Sequence, residues 1–133
     1  MNKNSQLILE KTARPGQKLL LSGGDMCNIT HGGSIKDFPA HYGKPGGKIR
    51  GCLYRHSNLE LVDFFQSGGI PLEEREDGKI FPASKKASDI LDFLLAKAVQ
   101  NGYEIHCNQA ADNIPELEAM LTSFLVMKSP KSL

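Results

Sequence analysis

The chain has 133 residues, 40% of them hydrophobic and 23% charged, with 16 basic side chains against 15 acidic ones and a formal net charge of +1. That balance describes one ordinary soluble domain or a piece of a larger one and argues against disorder. With both signs spread along the sequence, there is no basic footprint for a nucleic-acid backbone or an anionic membrane, so neither is expected as a partner. Apolar runs such as Leu19-Leu20-Leu21 and Phe93-Leu94-Leu95-Ala96 are too short to span a bilayer. The polar start Met1-Asn2-Lys3-Asn4-Ser5 has no signal-peptide core, and a cytoplasmic location is the expectation. Cys27, Cys52 and Cys107 are odd in number and widely spaced, which reads as reduced thiols rather than a disulfide framework or a paired-cysteine zinc site.

In chain order, Gln6-Leu7-Ile8-Leu9-Glu10 reads as a short strand of mostly buried apolar residues ending in a carboxylate, and Pro15-Gly16 breaks the chain before Lys18-Leu19-Leu20-Leu21. Eight glycines and two prolines fall between Ser22 and Gly51, so that stretch is expected to be mostly loop, shaped for close approach to something. Ser57 and Glu60 have capping-box spacing, and Leu61, Val62, Phe64 and Phe65 give the helix that follows one apolar side, with Gly68-Gly69 ending it. Asp77-Gly78, flanked by 72–76 and 79–81, suits the positive backbone angles of a tight turn and predicts a small β-hairpin. After Pro82, with Ser84 as the expected cap, Ala87, Ile90, Leu91, Leu94, Ala98 and Val99 recur at helical spacing until Asn101-Gly102. Tyr103-Glu104-Ile105-His106-Cys107 then reads as a strand, and a long amphipathic helix feeding a strand is the mark of an α/β sheet with crossover helices. Residues 115–127 could form a further helix, and the segment from 108 onward reads as a helical or frayed tail.

Two places could carry chemistry. An acid at the end of a short apolar strand, as Glu10 is, stands where dinucleotide-binding folds place the carboxylate that accepts hydrogen bonds from ribose hydroxyls. The alternative is a solvated acid beside Lys11, and the glycine fingerprint that should precede Glu10 is not among the nine residues before it. In Ser22-Gly23-Gly24-Asp25-Met26-Cys27-Asn28-Ile29-Thr30, two glycines let backbone amides approach a ligand, and Ser22, Asn28 and Thr30 offer short polar side chains. That stretch is either an anion or cofactor cradle or a tight turn around a structural cysteine.

Glu10-Lys11, Pro15 through Gly24 and Cys27-Asn28-Ile29-Thr30 together resemble the signature of the bacterial NAD(P)/FAD-dependent oxidoreductase family that includes aminoacetone oxidase. Further matches follow in the same order at Val62-Asp63-Phe64-Phe65, Gly69-Ile70-Pro71-Leu72, Gly78 through Ser84 and Lys86 through Leu91, so the likeness covers residues 6 to 107. What the resemblance implies is FAD held along a partial Rossmann-like α/β domain spanning residues 1–107. Glu10 would face the adenosine ribose, and Lys18, Ser22, Gly23, Gly24, Cys27, Asn28 and Thr30 would lie on the cofactor side. Members of the family also use reduced nicotinamide or an amine substrate, so NAD(P) is a further expected ligand.

The departures point the other way. Where the family usually has glycine and arginine this chain has Asp25 and Met26, losing a permissive backbone position and a potential phosphate-pairing cation. The glycine-rich pyrophosphate loop is missing, so the chain resembles a part of the FAD-binding domain truncated at both ends. The expectation is therefore a fragment of a flavin oxidoreductase with no assignable catalytic acid or base. The alternative is a non-enzymatic remnant or binding module that associates with itself or with a complementing chain. His31, His41, His56 and His106 lack metal-ligand spacing with the cysteines, and no metal site is expected. Tyr42, Tyr54 and Lys44 read either as loop residues able to touch a ligand or as solvated loop positions, and Ser84 before Lys85-Lys86 reads as a phosphate-binding helix start or, in preference, as plain N-capping.

Overall fold

The computed structural model describes residues 6–111. They divide between two compact units, one holding the chain up to Gln17 and from Leu94 onward, the other Lys18–Phe93.

In the first unit, β1 (Gln6–Leu9) pairs in parallel with β5 (Tyr103–His106), in a register that sets Gln6 opposite Tyr103 and Leu9 opposite His106. The pairing runs on past the strand ends: Glu10 N–H donates to the His106 carbonyl, Gln109 N–H to that of Glu10 and Asn108 N–H to that of Thr12, each at 2.9 Å. β1 is less buried than its apolar sequence implies. Leu7 and Leu9 are half-buried while Ile8 is 37% exposed, in keeping with successive side chains pointing to opposite faces of a strand.

The helix read from the 3.6-residue period is α5 (Ala87–Gln100). Its end is closed by Gly102 at φ 84°, whose N–H donates to Val99, and by the Asn101 side-chain amide, which donates to the Lys97 carbonyl at 2.8 Å. At its start Ser84 is not the cap. The helix begins at Ala87, and the Ser84 hydroxyl accepts from Lys86 N–H at 3.3 Å, an ST-turn two residues ahead of the first helical turn.

In the second unit, after the short α1 (Gln17–Leu20), a three-stranded antiparallel sheet has the order β2 (Thr30–His31), β4 (Lys79–Pro82), β3 (Leu72–Glu74). Pro82 has no N–H to give the ladder, and it lies beyond the two β4 residues, Lys79 and Ile80, that pair with β2. The β3–β4 hairpin forms as expected, with a turn one residue longer than a two-residue loop. Gly78 N–H donates to Arg75 and Arg75 N–H to Lys79, and only Gly78 of the turn has positive φ, at 78°. This is a type I turn closed by a left-handed glycine, which needs one residue of positive φ instead of two.

The capping box is present at α4 (Asn58–Ser67): the Ser57 hydroxyl accepts from Glu60 N–H at 3.2 Å, and the Glu60 carboxylate accepts from Ser57 N–H at 2.7 Å. Phe64, Phe65 and Phe93 meet edge-on or tilted with ring centroids 5.2–5.4 Å apart, and Gly68 is where the Phe93 ring lies against the end of α4. Phe65 joins Ile80, Phe81, Pro82, Ala87, Ile90 and Cys27 as the buried core, where a fully buried phenylalanine contributes roughly 1.5–3 kcal/mol.

The stretch from Ser22 to Gly51 is mostly loop and turn, as expected, but not wholly so. Beyond β2 it contains α2 (Phe38–His41) and the start of α3 (Gly46–Arg55). Gly46 is buried against the Pro39 carbonyl, and a side chain there would collide with it, so this glycine serves helix packing rather than a turn. The segment 115–127 lies outside the described residues.

Candidate functional site

The Ser22–Cys27 segment is a left-handed turn. Gly23, Gly24 and Asp25 have φ of 59°, 64° and 66°, Cys27 has 58°, and the Ser22 carbonyl accepts from Cys27 N–H at 3.0 Å. Residues with a Cβ pay about 1–2 kcal/mol for this conformation, so something must hold Asp25 and Cys27 in it. Cys27 is buried at 6% exposure, and the Asp25 carbonyl accepts from Ala87 N–H, an orphan donor of the first turn of α5, at 2.9 Å. The Ser22 hydroxyl donates to the Leu19 carbonyl at 2.7 Å, which ties the turn to α1. The two glycines differ. A Cβ on Gly23 would lie 2.7 Å from Asn28 N and 3.2 Å from the Phe81 ring, whereas one on Gly24 would meet nothing within 4 Å.

Directly after this turn the chain forms one wall of a cleft of about 630 Å³, lined by residues 28–34 with Asp37, Phe38, His41 and Tyr42. Ile29 N–H donates to the Ile80 carbonyl and Thr30 pairs with Ile80, so β4 fixes the wall. The His31 ring is held against the hairpin turn, Nδ1 lying 2.8 Å from the Gly32 carbonyl oxygen and Nε2 2.9 Å from that of Asp77. A neutral imidazole donates to one of these and an imidazolium to both. Asn58, buried to 4% exposure, braces the same wall: its amide donates to the carbonyls of His31 at 2.9 Å and Gly33 at 3.1 Å.

Of the residues singled out in the sequence, Asn28 and Thr30 line this cleft. Ser22, Gly23 and Cys27 build the turn beside it, Gly24 sits at an open point of that turn, and Lys18 is exposed on α1. Glu10 belongs to the strand pair. Its Oε1 accepts from Thr12 N–H at 2.7 Å and from the Thr12 hydroxyl at 2.8 Å, and those bonds, the backbone one first, hold its carboxyl below the usual range. Asp37 and Phe38 were missed as cleft residues, although Asp-Phe-Pro is a helix-start signal that could have placed them. His31 and His41, weighed in the sequence only as metal ligands, and Tyr42, a loop residue able to touch a ligand, also line the cleft. Among the described residues no three His, Cys, Asp or Glu side chains gather as a metal site, and no helix is long and apolar enough to cross a membrane.

A parallel strand pair fed by a crossover helix, together with a glycine turn opening onto a cleft, suits a nucleotide-binding α/β fold. The family model for the HI0933-like protein Rossmann domain matches residues 1–129. The chain belongs to that family. It is accordingly a Rossmann-type α/β chain, of a family that binds flavin. Among curated proteins, a ribosomal RNA dihydrouridine synthase of Haemophilus influenzae is 24% identical over 115 residues, 86% of this chain and 28% of that protein. A 3-dehydro-bile acid delta(4,6)-reductase of Clostridium scindens is 31% identical over 87 residues, 65% of this chain and 20% of its own. The ribosomal RNA dihydrouridine synthase of Escherichia coli is 27% identical over 96 residues, 67% of this chain and 22% of that protein. The chain thus spans between 20% and 28% of the length of these relatives.

Proposed function

We propose that this chain is the flavin-holding portion of an FAD-dependent oxidoreductase that passes reducing equivalents through flavin. The observation that carries the reading is the cleft behind the left-handed turn. At about 630 Å³ it falls within the range of roughly 300–1,000 Å³ usual for cofactor and ligand pockets. Its lining also suits a planar ring with polar edges: Phe38 and Tyr42 offer flat apolar faces, while Asn28 and Thr30 offer an amide and a hydroxyl. FAD bound there would supply the redox chemistry, and the protein its orientation and electrostatics.

In this reading Asn28 and Thr30 would contact the cofactor directly. Ser22, Gly23, Gly24 and Cys27 would shape the backbone that approaches it, and Lys18 would offer an exposed cation. Glu10, with Oε1 engaged by Thr12, would turn Oε2 to the ribose hydroxyls. The reading is further supported by the family match and by a relative named as a reductase. NAD(P) as electron donor and kinship with aminoacetone oxidase belong to the same proposal.

The test is the visible spectrum of the purified chain after incubation with FAD and removal of free ligand. Retained flavin bands, weakened in Asn28→Ala and Thr30→Val, are the expected result. A colourless protein would overturn the reading in favour of a non-enzymatic binding module that associates with itself or a complementing chain.

A further inference from the structure

A second, smaller cleft of about 280 Å³ is lined by Met26, Glu73, Arg75, Phe81, Pro82 and Lys85. We propose that it is an anion site for a phosphate monoester bearing an aromatic or apolar group. Glu73 and Arg75, two apart along the strand direction, share a face of the hairpin, and the register sets Phe81 opposite Glu73. The Arg75 guanidinium lies over the Phe81 ring, 5.5 Å from its centroid. Stacking of this kind orients the flat cation while leaving its N–H edge available to an oxyanion.

Although Glu73 and Arg75 share a face, they form no ion pair, and neither Arg75 nor Lys85 is ion-paired among the described residues. Asp77, another acid that feels Arg75, is bound to Lys79 at 2.8 Å. Lys85 is set by a turn, its N–H donating to the Pro82 carbonyl at 2.9 Å with φ at 56°. Two cations against one carboxylate leave the lining with a single net positive charge, so a phosphate dianion gains more from it than a carboxylate does. The buried Phe81 and Pro82, with Met26 beside them, supply an apolar floor for the substituent. This site is independent of the flavin reading, because it is defined by a different cleft and tested with small probes.

The experiment is a titration of the full chain, carrying ¹³C-methyl methionine, with phenyl phosphate at constant ionic strength, the Met26 signal being identified by Met26→Leu. The Met26 methyl is expected to shift saturably. Lys85→Gln and Arg75→Gln should each weaken binding about fivefold, and Glu73→Gln should tighten it about threefold, the scale of partly exposed charge-assisted bonds. Arg75→Gln also removes the stacking on Phe81, so Lys85→Gln and Glu73→Gln, with opposite expected signs, decide the matter if the arginine variant fails to fold. An equal shift with phenol, or an affinity unchanged by both Lys85→Gln and Glu73→Gln, would overturn the anion site. Inorganic phosphate binding as tightly as phenyl phosphate would overturn the aromatic ligand.

Discussion

Two turns in the same unit reach positive φ by different means. The hairpin turn at Arg75–Gly78 uses one left-handed residue, a glycine, and closes with its own backbone bonds. The Ser22–Cys27 turn has four, two of them bearing side chains, and is held by the burial of Cys27 and the bond from Ala87 to Asp25. The first conformation is cheap and local, whereas the second is costly and maintained by the surrounding core. Backbone cost of that kind persists only where packing over-determines it, and it gathers where a chain approaches a ligand.

The sharpest way to break this contrast is Gly23→Ala. Its Cβ would press on backbone and on Phe81, and the left-handed cost and overpacking together predict a loss of about 3 kcal/mol or more in urea denaturation. Gly78→Ala should cost about 2 kcal/mol, because the new methyl meets the His31 ring, which can move aside only by giving up its contacts with the Gly32 and Asp77 carbonyls. Gly24→Ala isolates the conformational term, about 1 kcal/mol, since its Cβ points into open space. Equal losses at positions 23 and 24 would mean that packing on Phe81 does not hold the turn.

Asp25→Gly should stabilise by about 0.5–1 kcal/mol, read as a melting temperature raised by a few degrees, because it relieves a left-handed residue that bears a Cβ. The smallest effect belongs to the hairpin turn. Bonds from the Lys79 side chain and then its backbone N–H hold the Asp77 carboxyl below its usual range. Its contribution is therefore full above the ordinary carboxylate pKa and lost as pH falls through the lowered one. The gap in urea midpoint between the wild type and Asp77→Asn should shrink on acidification; a gap that widened would refute the assignment.

Helices α4 and α5, the hairpin and the strands β1 and β5 were legible because each is written in local terms: a capping box, a 3.6-residue period, the Asp-Gly turn signal, an apolar run ending in an acid and an alternating strand after Asn-Gly. Helix α3 was not, since Pro45-Gly46-Gly47 reads as punctuation. Only the approach of the Pro39 carbonyl explains why a helix starts on a glycine there. The cleft was half legible. Asn28 and Thr30 stood out as polar residues after a glycine pair, but Phe38, His41 and Tyr42 reach it through the packing of α2 against α3, which no spacing encodes. Nor could the sequence reveal that Asp25 and Cys27 are left-handed, because that depends on contacts from α5 and the core.

The Asn58 side-chain amide, held between two carbonyls behind the cleft wall, carries a consequence for spectroscopy. Its two protons can trade with deuterium only when the 31–33 backbone lifts away, so they should outlast those of the exposed Asn101 amide by a wide margin. That pair of resonances is a clock for the opening of the wall, readable without any ligand bound.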